Sequence, residues 1–131
     1  LQTARDRLYE ADALFLNTGY WQHRERDFRY YSTDFPALSP EAALFIRGEL
    51  PRVKMVAIDT LSIENLSLGK ENGYRTHRAL LNPDPDTNRI VVIIEDYNPE
   101  PVIGREMKSA AAVPLRIRGC DATPINVFVE V

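Results

Sequence analysis

The stretch SPEAALFIRGELPRVKMVAIDT, residues 39–60, decides the fold class. Ser39 offers a hydroxyl to a free backbone N–H, Pro40 is preset for the first helical position, and Glu41 suits the positive end of a helix dipole. Together they predict a helix start. Ala42, Phe45 and Ile46 recur at i, i+3 and i+4 as the expected buried stripe, and Gly48 and Pro51 mark the stop. Val53-Lys54-Met55-Val56-Ala57-Ile58 then reads as an interior strand that Asp59-Thr60 ends. Upstream, Ala13-Leu14-Phe15-Leu16 is a compact apolar run halted by Asn17-Thr18-Gly19, a buried strand running into a turn. Strand, helix, strand in that order predicts an α/β fold with parallel pairing.

Working outward, Leu1, Ala4, Leu8 and Ala11 are spaced as the apolar face of a short first helix over residues 1–12. A strand is expected to deliver Tyr20 and Trp21 to a long irregular loop, His23 to Phe35, where Arg24, Glu25, Arg26, Asp27 and Arg29 stand beside Phe28, Tyr30 and Tyr31 with no clear period. Ser62 to Arg75 reads as a polar loop holding at most one short helical turn. Asn82 to Asn88 contains two prolines and four Asx residues, which sustain neither helix nor ladder. Ile90-Val91-Val92-Ile93-Ile94 is β-branched throughout and predicts a strand that runs directly into Glu95-Asp96. Beyond a connector over Pro99 to Ala112, Val113 to Arg118 and Ile125 to Val131 alternate like half-buried strands, with Gly119 to Pro124 as the turn between them.

Composition narrows the classes of function. At 131 residues, 44% hydrophobic and 27% charged, residues 1–131 have the make-up of one soluble globular domain or a large piece of one. Sixteen Lys and Arg against nineteen Asp and Glu give a net charge of -3, so no cationic surplus exists to displace counterions from a nucleic acid. The longest apolar runs fall far short of the roughly 20 residues of a bilayer span. With no visible leader, the expectation is a cytoplasmic protein without membrane or nucleic acid partners. The single cysteine, Cys120, cannot form an internal disulfide and is expected to be an inert packed thiol.

Asp59, His77 and Glu95 stand at or just beyond probable strand ends, where α/β proteins concentrate function. Asp59 before Thr60 and Ser62 also suits a turn or capping carboxylate, and His77 also suits an exposed helix start. Glu95 must leave the core or meet a cation, because burying it unpaired would cost several kcal/mol. Eighteen residues separate His77 from Glu95, a spacing that can bring imidazole and carboxylate together across a loop and a strand. Residues Trp21 to Tyr31 could line a pocket for an aromatic or anionic substrate, or form a solvated loop with aromatic anchors.

Six segments carry a further signal in their order: Leu14 to Trp21 (LFLNTGYW), Phe35 to Ala43 (FPALSPEAA), Val56 to Ile63 (VAIDTLSI), His77 to Leu81 (HRALL), Ile93 to Tyr97 (IIEDY), and Pro114 to Ile117 with Gly119 to Pro124. Taken together they resemble the C-terminal half of the cyclase family of metal-dependent hydrolases, the group that includes kynurenine formamidase and isatin hydrolase. The resemblance implies a swivelling ββα-type α/β fold with a mixed sheet and few helices. It further implies zinc or manganese held by His77 and Glu95, which would also be the catalytic residues, with Glu95 positioning water. Tyr20 and Trp21 would contact substrate, a small amide of the N-formyl or cyclic kind. The family's H-x-G-T-H-x-D segment, which supplies most metal ligands, is absent from these 131 residues. The resemblance therefore implies either a complementing N-terminal half or, in the non-catalytic alternative, a scaffold for oligomerisation or ligand binding; a homo-oligomer is expected. Residues Pro83 to Asn88 lengthen the usual histidine-to-glutamate interval, and Ala122-Thr123-Pro124-Ile125-Asn126 replaces the common G-S-P-V-R.

Overall fold

A computed structural model describes residues 4–131. It divides into two compact units, Leu1–Asn98 and Pro99–Val131. Strands and helices together give an α/β fold.

In the first unit, β1 (Ala13–Leu16), β2 (Met55–Ile58) and β3 (Val92–Ile94) form a parallel sheet in the order β1-β2-β3. Leu14 pairs with Val56 and Val56 with Ile93, so the three strands end almost level. The helix predicted from Ser39 is present as α3 (Pro40–Glu49), and the Ser39 hydroxyl accepts the Ala42 N–H at 3.1 Å. Its buried side differs from the expected stripe: Ala43 and Ile46 are buried, with Leu50 just beyond the helix, whereas Phe45 is 48% exposed. Residues 42–46 are all apolar, so the pattern alone cannot orient the helix. Packing against α5 (Arg75–Leu81), in one cluster with Val56 and Leu80, does. Gly48 lies inside α3 rather than ending it.

The main core joins Ala43, Ile46 and Leu50 to Val53, Val56, Ile58, Ile63, Leu80 and Val91. Truncating a side chain as buried as Leu50 to alanine would cost about 2–5 kcal/mol. Tyr20, Tyr31 and Phe35 form a smaller cluster backed by Leu61.

Several local readings are corrected. The first helix, α1, spans Ala4–Glu10; Leu1 lies outside the described residues, and Leu8 is 39% exposed, so the expected apolar face is not buried there. Tyr20–His23 form a 3-10 turn rather than a strand's exit. The supposed irregular loop contains α2 (Phe28–Thr33), which Asp27 caps by accepting the Tyr30 N–H and which Tyr31 anchors in the interior. Dense charge around one buried aromatic had hidden its period. Likewise Ser62 to Arg75 holds a full helix, α4 (Leu66–Asn72), capped by the Asn65 side chain and ended by Gly73 at φ 71°. The strand expected over residues 90–94 is shorter, with only Val92–Ile94 in the ladder.

In the second unit, β4 (Ser109–Pro114) and β5 (Ile125–Glu130) pair antiparallel, with Ala111 opposite Phe128. β4 begins four residues before the expected Val113, because the small residues Ala110 to Ala112 take up the ladder that β5 offers. The parallel and antiparallel pairings thus occupy separate sheets rather than one mixed sheet. Cys120 is exposed in the loop between these strands and is not a packed thiol. Among the described residues no helix is long and apolar enough to cross a membrane.

Candidate functional site

The carboxyl ends of β1, β2 and β3 gather the polar side chains that sequence alone left apart. Ile94 is 3% exposed at the end of β3, and the next residue, Glu95, turns toward the loop that follows β2. Its Oε1 accepts the Ser62 hydroxyl at 2.8 Å and the Ile63 N–H at 2.8 Å, and it stands 3.2 Å from His77 Nε2. Burial pushes this carboxyl up, but the bonds from His77, Ile63 and Ser62 outweigh it and hold the group below the usual carboxylate range.

His77 lies in the first turn of α5. That helix starts from Tyr74 in the left-handed region, φ 56°, and no side chain of its N-cap closes the turn. Glu64 fills the role from a distance: its Oε1 accepts the Thr76 N–H at 3.2 Å, and its Oε2 accepts the His77 N–H at 3.3 Å. The same Oε2 meets His77 Nδ1 at 2.8 Å. Thr76, fully buried, adds a hydroxyl bond to the Leu38 carbonyl at 3.1 Å. His77 is thereby held between two carboxylates, and its pKa is raised, first by Glu95 and then by Glu64, against the opposing effect of burial. Glu64 is itself lowered: burial works upward, and the bonds from His77 and Thr76 prevail.

Asp59 directly follows β2 and is fully buried. Its Oδ1 accepts both the N–H and the hydroxyl of Thr18, while its Oδ2 is buried without a partner. It therefore joins two strand exits instead of closing a local turn. Tyr31 donates its hydroxyl to Asp96 and to the Asp59 carbonyl, and Arg24 pairs with Asp96. Tyr20, expected to meet substrate, is buried, with its hydroxyl directed to the Tyr30 and Asp34 carbonyls. Trp21 is half-buried, and its indole N–H is enclosed without a hydrogen-bond partner.

Imidazole nitrogen and carboxylate oxygen are suitable donors for zinc or manganese. Two such atoms at about 2.1 Å from a tetrahedral ion lie roughly 3.4 Å apart, close to the 3.2 Å between His77 Nε2 and Glu95 Oε1. Glu64 does not extend the set, because it faces the opposite edge of the ring. Among the described residues no group of three or more His, Cys, Asp or Glu side chains is placed to hold one ion. The two donors fit as part of a centre and need others to complete it.

Sequence reasoning found His77 and Glu95 but missed Glu64 and Ser62. Both stand in Ser62 to Arg75, a stretch whose polar composition reads as loop and gives no period to mark them.

A parallel α/β unit with its polar groups at the carboxyl edge defines the general class. The Cyclase family model, described as "Putative cyclase", matches residues 1–65. The matched segment contains β1, α3, β2, Asp59 and Glu64, and ends before His77 and Glu95. No curated protein and no solved structure matches the chain.

Proposed function

We propose that this chain contributes half of a metal-dependent amidohydrolase centre, acting on a small N-formyl or cyclic amide in the manner of kynurenine formamidase and isatin hydrolase. His77 and Glu95 would hold zinc or manganese, with remaining ligands supplied by a complementing N-terminal segment. The observation that carries this reading is the 3.2 Å approach of His77 Nε2 to Glu95 Oε1, with Nδ1 already committed to Glu64. Two ionised carboxylates flanking one ring favour a cation between ring and acid. When bound, the ion supplies Lewis acidity that activates water and polarises a carbonyl. Glu95 would orient that water, and Ser62 and the Ile63 N–H fix its carboxylate.

The test is metal content and formamide hydrolysis of the chain with its upstream segment restored, compared with His77→Ala. Loss of both supports the reading; a variant that keeps both sinks it. The absence of a three-donor group among the described residues favours a second reading, a non-catalytic scaffold for oligomerisation or ligand binding. A metal-free, inactive, stable oligomer would decide for it.

A further inference from the structure

We propose that Glu64 is a positioning residue that locks His77 in the Nδ1–H tautomer and so reserves Nε2 as the ring's lone-pair donor, an assignment that rests on the metal-centre reading only for what Nε2 then binds. Glu64 is 6% exposed, and each of its oxygens has a backbone donor, from Thr76 and from His77. An ionised carboxylate can only accept, so the 2.8 Å contact at Oε2 requires the proton on Nδ1. Glu95 stands farther off, at 3.2 Å, and its nearest oxygen already accepts from Ser62 and Ile63. In the neutral ring the shorter, less shared contact takes the single proton.

The surroundings hold Glu64 in that pose. Gly69 of α4 packs on its methylenes: a Cβ there would come within 3.3 Å of Glu64 Cγ and Cδ and within 3.0 Å of Tyr74 Cδ1. The carboxylate also caps α5, so the helix that carries the imidazole and the group that orients it are one assembly. A cap alone needs only the backbone bonds; the additional ring bond is what directs Nε2.

The experiment uses the 15N-labelled 131-residue chain, whose two histidines make the ring signals assignable. Long-range 1H–15N correlation at alkaline pH, where the rings are neutral, is expected to show His77 Nδ1 protonated and Nε2 bare. In Glu64→Leu no acceptor faces Nδ1 while the Glu95 carboxylate still faces Nε2, so the two signals should exchange. Zinc affinity with the upstream segment restored, measured by chelator competition, should fall about 10–100-fold in that variant. A protonated Nε2 in the unaltered chain overturns the assignment, and this holds even where the variant does not fold. A Glu64→Leu protein that is less stable yet keeps Nδ1–H reduces Glu64 to a helix cap and also overturns it. Tautomer exchange in a chain that binds no zinc even with its upstream segment restored leaves the positioning role standing and removes the hydrolase reading instead.

Discussion

Asp59 accepts both the backbone N–H and the hydroxyl of Thr18 through one oxygen, each at 2.8 Å, and thereby ties the exit of β1 to the exit of β2. The two residues are 41 positions apart in the chain. Asp59→Ala would leave two donors without their acceptor and is expected to lower unfolding stability by about 2–4 kcal/mol. Thr18→Val removes only the hydroxyl bond and should cost about 1 kcal/mol. Urea denaturation of both variants checks the order; equal losses would show that the hydroxyl carries the whole link.

Glu95→Gln preserves shape while removing the charge that faces His77. Zinc affinity should drop by more than the roughly 10–100-fold that loss of a supporting partner brings. Stability should change little, since the amide oxygen can still accept from Ser62 and the Ile63 N–H. Calorimetric titration with zinc, paired with thermal unfolding, separates the two effects.

Arg89 reaches across to the end of α3, where its guanidinium donates to the carbonyls of Arg47, Leu50 and Val53, the last two at 2.7 Å. It satisfies carbonyls that the helix end leaves open and places positive charge at the negative end of the dipole. Arg89→Met keeps much of the packing and is expected to destabilise by about 2–3 kcal/mol. A loss below about 0.5 kcal/mol, read from the denaturation midpoint, would contradict this account.

Tyr20, Tyr31 and Tyr97 have their phenol pKa values pushed up to about 12, chiefly by burial. The folded state therefore holds these protons more tightly than the unfolded state, whose ordinary value is 10.0. Their contribution to stability is complete below about pH 10 and is lost as pH rises from there toward 12. Thermal unfolding across that interval should show a falling midpoint, and ultraviolet titration should show these phenols ionising together with unfolding. Tyr97→Phe should flatten part of the decline.

The peptide chain by itself pointed to the α/β succession through local signals: Ser39-Pro40-Glu41 is a helix-start pattern, and the apolar, turn-bounded run Val53 to Ile58 has the length of an interior strand. It also singled out His77 and Glu95, since a carboxylate directly after β-branched residues must find water or a cation. Which face α3 buries, and the presence of α2 and α4, were decided only in three dimensions. In those segments the period is masked by uniform apolarity or by dense charge, and Tyr31 is held by Asp59 and Asp96, far along the chain. The pairing of Glu64 with His77 and of Thr18 with Asp59 belongs to the tertiary structure for the same reason. A hydrogen bond between groups 13 or 41 residues apart leaves no periodic trace, and only the level ends of the parallel strands bring such groups within reach.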